Sequence, residues 1–195
     1  MGVYDEAMAR FERVFKAAQE AGAPEFNAMT LATVSASGRP SARTVLLKGV
    51  DARGFVFYTN RTSRKGLHLA SAPCAALCLH WPVLAQQVLI EGQVEQVSDA
   101  ESDAYFASRP RLSQLGAWAS RQSQPLPAPE ALASQVAEVE ARFGDGPIPR
   151  PPHWGGYRVV PDLIEFWSAG DGRLHTRERY TCTGSGQWTH GFLNP

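Results

Sequence analysis

Residues 28–60 form the stretch AMTLATVSASGRPSARTVLLKGVDARGFVFYTN, and this stretch decides the fold class. It contains three short runs rich in β-branched and aromatic residues, AMTLATVS, ARTVLLKGV and GFVFYTN, a composition typical of strands. The runs are separated by SASGRP and DARG, whose Gly, Pro, Asp and Ser residues favour turns. The stretch therefore predicts an antiparallel meander of three strands.

The flanking sequence adds helices around this meander. Apolar residues recur at helical spacing before it until Gly22 and Pro24, which predicts a helix over residues 3–21. After it we expect a short helix at about Ser63–Ala72, then the strands CAALCLHW and QQVLIEGQVEQV. Helices follow from an Asp99 cap through Ser108, from Pro110 to Ala119, and along ALASQVAEVEARF. The C-terminal part predicts strands at YRVVP, LIEFW, RERYTC and QWTHGF.

These elements alternate too little between strand and helix for a doubly wound nucleotide fold, and the chain has no GxGxxG motif. We predict a mainly β fold with peripheral helices, built as a small antiparallel barrel. The length of 195 residues favours one domain over 1–195. Its parts would be an N-terminal helix (1–22), barrel strands (28–98), a helical segment (99–143) and C-terminal strands (154–195).

Composition excludes several classes of partner. With 19 basic and 19 acidic residues the formal net charge is zero, so nonspecific electrostatic binding to nucleic acid or anionic lipid is not expected. No signal peptide or membrane span is predicted. Cys74, Cys78 and Cys182 show no disulfide or zinc pattern. Cys74 and Cys78 are interpreted as small core residues in a reducing compartment. We expect a cytoplasmic protein without a metal site.

Four groups of residues could carry chemistry. In the first, Arg61, Arg64 and Lys65 surround the predicted helix start at Ser63. A helix N-terminus presents free N–H groups and a partial positive charge, so this segment is either a phosphate site or a solvated basic turn. In the second, Arg43 and Lys48 are five apart on one predicted strand and would face opposite sides. One compact site could use both only through a bulge or a partner chain.

The third group lies in YFASRPRLSQLGAW, where Tyr105 and Arg109 would share a helix face near Ser113. This arrangement predicts either a phosphate clamp or an arginine that packs over an aromatic ring. The fourth group follows Trp167, where Arg173, His175 and Arg177 alternate and would point to one face of a strand. Three potential cations on one face repel each other unless an anion compensates them, so ligand binding is favoured here.

Together these segments resemble the pyridoxine/pyridoxamine 5'-phosphate oxidase family over nearly the whole chain. The most specific match is IEFW at 164–167 followed by RLHTR at 173–177. ARTVLLK, FYTN, TSRKG, QQV, YFASRPRLSQLGAWAS and RQS also match, in the family's order and spacing. The resemblance implies a split β-barrel homodimer with FMN bound at the subunit interface. Such an interface would explain how Arg43 and Lys48 serve one site.

The resemblance also implies residue roles. FMN contacts would come from Arg43, Lys48, Tyr58, Thr59, Arg64, Lys65, Gln87, Gln122, Ser123, Trp167 and Arg177. The substrate phosphate would be bound by Lys48, Tyr105, Arg109 and Ser113, while Arg173 and His175 would lie at the reacting end of the substrate. The implied reaction oxidises pyridoxamine or pyridoxine 5'-phosphate to pyridoxal 5'-phosphate, with dioxygen as the acceptor and hydrogen peroxide as a product.

The sequence departs from the family pattern at three places, and the first two bear on the substrate more than on flavin binding. The chain begins almost at its first helix, where family members usually carry an additional arm that helps cover the substrate. Phe192 stands where the family commonly has Arg, and Ser168 and Thr176 differ from the usual signature. Two alternatives therefore stay open: a related flavin oxidase of the phenazine-biosynthesis type, and a non-catalytic protein that binds FMN or pyridoxal phosphate.

Overall fold

The structure, a computed structural model, describes residues 2–195. The first half contains α1 (Val3–Glu20), β1 (Ala28–Val34), β2 (Pro40–Leu46), β3 (Gly49–Asp51), β4 (Gly54–Asn60), α2 (Arg64–Ser71), β5 (Cys74–Trp81) and β6 (Gln86–Gln96). The second half contains α3 (Asp99–Ala107), α4 (Arg111–Ala119), α5 (Glu130–Phe143), β7 (Trp154–Ser168), β8 (Thr176–Cys182) and β9 (Trp188–Leu193). Among these helices none is both long and apolar enough to cross a bilayer.

The nine strands form one antiparallel sheet with the order β2-β1-β5-β6-β7-β4-β3, and β8 joins it by pairing with β7 and β9. β7 pairs with β6 along one edge, while its other edge is shared by β4 at Trp154–Val159 and β8 at Leu163–Ser168. The two ends of the path, β2 and β3, are consecutive in the chain and are joined through Leu47 and Lys48. The predicted split β-barrel with peripheral helices is confirmed.

Two hydrophobic clusters support this barrel. The larger one lies inside the sheet, and α1 packs against it with Met8 and Phe11. The Phe11 ring meets Phe55 edge to face at 4.8 Å. Burial of each such side chain contributes about 1.5–3 kcal/mol. The smaller cluster contains Phe106 and Trp154 and joins the α3–α5 segment to the start of β7.

The structure corrects several predicted elements. YRVVP and LIEFW belong to one strand, β7, whose register against β6 shifts between Glu91 and Gly92. Gly92 is required there, because a Cβ atom would lie 2.0 Å from the Val160 carbonyl oxygen. α3 is capped by Ser98, whose Oγ accepts a hydrogen bond from the Glu101 N–H, and not by Asp99.

Two further predictions about single segments were wrong. ARTVLLKGV is not one strand, because the ladder of β2 ends at Leu46 and β3 begins at Gly49. Cys74 is exposed and Cys78 is half-buried, so neither is a core residue, although both are free thiols. Their strand β5 lies between β1 and β6, and Leu77 and Leu79 supply its fully buried positions.

Candidate functional site

An open cavity of about 830 Å³ lies between β2, β4, the start of α2 and the α3–α4 corner. Ten of the predicted site residues line it, namely Arg43, Lys48, Tyr58, Thr59, Lys65, Tyr105, Arg109, Ser113, Gln122 and Ser123. Four of the lining residues carry a positive charge, and the lining contains no Asp or Glu. A cavity lined in this way attracts anions.

The start of α2 contributes Lys65, the most buried of the four cations that line the cavity. Ser63 caps the helix, and the buried Lys65 Nζ donates to Thr59 Oγ1 at 3.1 Å and to Gln122 Oε1 at 3.0 Å. The Arg64 N–H donates to Ser123 Oγ at 3.2 Å, and Ser123 adopts a left-handed φ of 72°. A non-glycine residue in that conformation is uncommon and is concentrated at functional sites.

Among residues 2–195, no carboxylate forms an ion pair with the cations at this helix start. Burial, and then the charge of Arg43, lowers the pKa of Lys65 to about 8. Burial also lowers the pKa of Arg43, and the nearby Arg64 adds to this effect. An anion bound beside these groups would remove both penalties, which is the property expected of a phosphate site.

The Arg43 side chain is held by two buried residues of β1, Leu31 and Thr33, which the sequence patterns did not single out. Its Nη1 donates to the Leu31 carbonyl oxygen at 2.9 Å and to Thr33 Oγ1 at 2.8 Å. Thr33 Oγ1 in turn lies 3.1 Å from Nδ1 of His68 on α2, and both side chains are buried. The available signal was a polar residue at an inward position of β1, since Thr33 follows Met29 and Leu31 on the same face.

Lys48 reaches the same cavity because it lies outside the β2 ladder. After Leu46 the Leu47 N–H donates to the Asn27 carbonyl at 2.8 Å, and the Lys48 N–H donates to the Val56 carbonyl at 2.8 Å. This change of pairing lets Arg43 and Lys48 line one cavity within a single chain. The expectation that they face opposite sides of one strand was therefore wrong.

Another part of the cavity wall is formed by aromatic side chains. Tyr58 stacks on Tyr105 with ring centroids 4.0 Å apart, and Trp154 lies nearly parallel to both rings. Arg109 lies beyond the end of α3, so it does not share a helix face with Tyr105 as predicted. The corner that carries Arg109 is fixed by Gln114, whose Nε2 donates to the carbonyls of Phe106, Ala107 and Arg109 at 3.0, 3.2 and 3.1 Å.

A second group of predicted residues lies where β6, β7 and β8 run side by side. Gln87 is paired with Trp167, and Trp167 is paired with Arg177. The His175 ring packs on Trp167 with centroids 4.7 Å apart, and its Nδ1 accepts a hydrogen bond from the Gly170 N–H at 3.2 Å. This bond requires a lone pair on Nδ1, so the ring proton of His175 is on Nε2.

The predicted single strand through Arg173, His175 and Arg177 is wrong. Arg173 lies in a short 3₁₀ turn at Asp171–Arg173 with a φ of 66°, and β8 begins only at Thr176. Gly170 is needed for this turn, because a Cβ atom would lie 2.0 Å from the Leu174 carbonyl oxygen. Arg173 is exposed at the tip of the turn, where its guanidinium can meet a ligand or a second chain.

Arg177 is compensated within the chain, unlike the cations of the cavity. Its Nε donates to Glu165 Oε1 at 2.8 Å, and Arg179 Nη2 donates to Glu165 Oε2 at 2.8 Å. Burial raises the pKa of Glu165, but the hydrogen bonds from these two arginines outweigh it and the net pKa is lowered. Arg177 is thus paired within the chain, and Arg173 lies in the preceding turn, so the three residues do not share one strand face as predicted.

These two groups occupy opposite ends of β7. Trp154, the first residue of the strand, lines the cavity, whereas Trp167 is its penultimate residue. Thirteen residue steps of extended chain correspond to about 43 Å of strand. One chain therefore brings ten of the predicted residues together in the cavity and places Arg64 beside it. The remaining predicted residues lie in a separate group, namely Gln87, Trp167, Arg173, His175 and Arg177. We call these the cavity half and the signature half.

Comparison with known proteins bears on both halves. The family described as "Pyridoxamine 5'-phosphate oxidase" matches residues 15–143, and "Pyridoxine 5'-phosphate oxidase C-terminal dimerisation region" matches residues 154–195. The pyridoxine/pyridoxamine 5'-phosphate oxidase of Alkalilimnicola ehrlichii is 57% identical over 197 residues, covering 100% of both chains. The protein of the same name from Myxococcus xanthus strain DK1622 is 57% identical over 186 residues, covering 95% of this chain and 90% of its own.

Two solved structures share the fold of this chain. PhzG from Burkholderia lata 383, in complex with tetrahydrophenazine-1-carboxylic acid, superposes with a TM-score of 0.91 at 35% identity, covering 100% of this chain and 97% of its own. A pyridoxamine 5'-phosphate oxidase-related, FMN binding protein from Nostoc punctiforme shares the fold, with a TM-score of 0.69 at 18% identity, covering 87% and 88%. The sequence matches, which span nearly the whole chain, place this protein in the pyridoxine/pyridoxamine 5'-phosphate oxidase family.

Proposed function

We propose that this protein is an FMN-dependent oxidase that converts pyridoxamine 5'-phosphate or pyridoxine 5'-phosphate to pyridoxal 5'-phosphate. The observation that carries the proposal is a cavity lined by four cationic side chains and no carboxylate, in a chain that is 57% identical to relatives of that name. Two separate cationic positions in this cavity match a cofactor and a substrate that each carry a phosphate group.

The FMN phosphate fits the start of α2. Lys65 is buried there with only neutral oxygen atoms as partners, and Arg43 is held nearby without a carboxylate. Arg64 and Ser123 add a helix N-terminus and a hydroxyl. Charge-assisted hydrogen bonds of this kind contribute roughly 1.5–3 kcal/mol each. We assign Arg43, Arg64, Lys65 and the neighbouring Thr59, Gln122 and Ser123 to this phosphate.

We assign the substrate phosphate to a second set of residues that line the same cavity. Lys48, Tyr105, Arg109 and Ser113 line it together, and they supply two cationic groups and two hydroxyls. One Arg109 nitrogen, Nη1, is buried without a hydrogen-bond partner among the described residues. A buried donor without a partner costs about 1–3 kcal/mol, so a phosphate oxygen placed there would recover this energy.

Bound FMN would supply the two-electron chemistry, since it accepts a hydride from the substrate and passes the electrons to dioxygen, which is released as hydrogen peroxide. The protein's part is alignment. We assign Arg173 to orient the substrate at its reacting carbon and His175 to contact it through Nε2–H, because Nδ1 is already engaged. Both belong to the signature half, and neither is in the cavity of its own chain.

A homodimer would unite the two halves. Because they lie at opposite ends of β7, a two-fold axis can place the signature half of one chain over the cavity half of its partner and form two equal sites. The match of residues 154–195 to a dimerisation region supports this arrangement. The three free cysteines are consistent with a cytoplasmic location, which we also propose.

Complementation tests the shared site. Arg109→Gln disables the cavity half and Arg173→Ala the signature half, so each homodimer should be inactive. When the two are co-expressed with different tags, about half of the random dimers are mixed and each mixed dimer has one intact site, so about a quarter of the parental activity should return. Arg109→Gln co-expressed with Lys65→Met, both in the cavity half, is the control and should recover nothing. Equal recovery in both pairs would contradict a shared site.

The reaction itself is tested with the purified protein. A flavin absorption spectrum and release of hydrogen peroxide on addition of pyridoxamine 5'-phosphate are expected. A protein that binds FMN and releases no peroxide would be a binding protein. The similarity to PhzG favours one alternative substrate class, reduced phenazine carboxylates. A panel with both substrates separates the two enzymes, because a carboxylate monoanion would not use the two cations and two hydroxyls as fully as a phosphate dianion.

A further inference from the structure

The guanidinium of Arg109 is held in the cavity wall without a counter-ion. No carboxylate forms an ion pair with it within residues 2–195, and its Nη1 is buried without a hydrogen-bond partner. Burial lowers the pKa of Arg109. Some other interaction must therefore stabilise its charge and fix its position before a ligand binds.

Aromatic faces supply that interaction. The Cζ atom of Arg109 lies 4.7 Å from the centroid of a Trp154 ring and 5.5 Å from that of Phe106. Cations within about 6 Å of a ring centroid are attracted to its face, and tryptophan attracts them best. A carboxylate partner would also hold the guanidinium, but it would neutralise the charge and occupy its N–H donors. A ring face leaves both free for an anion.

Trp154 is itself fixed from several directions. Its side chain is buried, and its ring lies within 9° of parallel to Tyr58 and within 7° of parallel to Tyr105. Phe106 meets it edge to face at 5.1 Å. Its carbonyl oxygen accepts a hydrogen bond of 2.7 Å from Nη1 of Arg150. The ring is therefore a rigid surface in the cavity wall.

We infer that Trp154 is a positioning residue whose ring face holds the uncompensated Arg109 guanidinium so that its N–H groups meet the substrate phosphate. This inference rests on the proposed function for the identity of that phosphate. It adds a residue outside the assigned substrate contacts, and it explains how the site keeps an unpaired arginine in place when no substrate is bound.

The test compares a phosphorylated and an unphosphorylated ligand on a series of ring variants. Pyridoxal 5'-phosphate and pyridoxal are titrated into the FMN-loaded parent and into Trp154→Tyr, Trp154→Phe and Trp154→Leu. For pyridoxal 5'-phosphate we expect the Kd to rise about tenfold in Trp154→Leu, which equals about 1.4 kcal/mol, with Tyr and Phe between. The Kd for pyridoxal should stay the same in all variants. In turnover, KM for pyridoxamine 5'-phosphate should rise more than kcat falls.

Trp118→Leu is the matched control. Trp118 belongs to the same hydrophobic cluster and carries its own arginine, Arg142, with Cζ 5.1 Å from the ring, but neither residue lines the cavity. This variant should lower the melting temperature without changing the ratio of the two Kd values. A second check is the double variant with Arg109→Gln, in which Trp154→Leu should have no further effect on the phosphorylated ligand.

Three results would overturn the inference. Equal weakening of both ligands would make Trp154 a packing residue of the cavity wall. A Kd for pyridoxal 5'-phosphate that is unchanged in Trp154→Leu and in Trp154→Phe would show that the ring face does not act on Arg109. A parent protein that binds pyridoxal 5'-phosphate no better than pyridoxal would overturn the proposed function, and the inference with it.

Discussion

Lys65 gives FMN binding a dependence on pH that can be measured without turnover. Its Nζ is buried beside Thr59 and Gln122, and burial with the nearby Arg43 charge lowers its pKa to about 8. An unperturbed lysine ionises near pH 10.4. In the apoprotein Lys65 therefore loses its proton as the pH rises through about 8, far below the usual range.

The bound phosphate reverses this shift. A dianion beside Nζ favours the charged amine, so the pKa of Lys65 rises when the phosphate binds. Binding above pH 8 then requires uptake of a proton, and affinity must fall as the pH rises. Between pH 7 and 9 the neutral fraction in the apoprotein grows from about a tenth to about nine tenths, which weakens binding about tenfold, or about 1.4 kcal/mol. The second pKa of a phosphate monoester lies near 6, so the group is almost entirely a dianion between pH 7 and 9 and its own charge stays nearly constant.

The assay is a flavin fluorescence titration of the apoprotein at half-unit steps from pH 7 to 9. The parent Kd should rise about tenfold over this range. Lys65→Arg keeps a charge that does not titrate, so its Kd should stay level. Lys65→Met should bind more weakly at every pH and also stay level. A parent that binds FMN with no pH dependence, or an Arg variant with the parental slope, would refute the reasoning.

Arg173→Ala should slow flavin reduction by pyridoxamine 5'-phosphate about a hundredfold in anaerobic mixing while the FMN spectrum stays unchanged; reduction at the parental rate under saturating substrate would remove Arg173 from the reaction. His175→Ala should weaken substrate binding with a smaller loss of turnover. Thr33→Val removes the hydroxyl that accepts from Arg43, so FMN affinity should fall about fivefold to tenfold in titration, whereas exposed Thr30→Val on the same strand should leave it unchanged. The protein should sediment as a dimer, and FMN at 100 times its Kd should stabilise it by about 2.7 kcal/mol in thermal melts; a monomer that binds FMN tightly would contradict the interface.

Much of this architecture could be predicted from local sequence patterns, because the periods of strands and helices are local properties. The runs at 28–60 predicted β1, β2 and β4, and the apolar spacing of residues 3–21 predicted α1 within a residue of its bounds. The cluster of Arg64 and Lys65 after a strand predicted a cationic helix start, which the structure contains. These features depend on neighbours within a few positions.

What could not be predicted depends on contacts between distant segments. The break after Leu46 depends on backbone bonds to Asn27 and Val56, and neither partner is visible in the local pattern. Arg173 adopts a left-handed φ in the tight turn that follows Gly170. The alternating cations at 173, 175 and 177 predicted a continuous strand there and gave no sign of this turn. Trp154 carried no motif of its own, and its place beside Arg109 arises only when β7 meets the α3–α4 corner.

The length of β7 limits where this protein can gain or lose residues. Each residue advances a strand by about 3.3 Å and alternates the face of its side chain, so one insertion between Trp154 and Trp167 would shift one half-site against the other and turn its residues to the wrong side. The register shift opposite Gly92 already accommodates one extra residue. The exposed Pro-rich loop at 125–129, which follows the cavity residues Gln122 and Ser123, has no such constraint, because it spans no ladder. Deletion scanning should therefore find β7 intolerant of any change in length, and protein engineers should place tags or inserted domains in that loop.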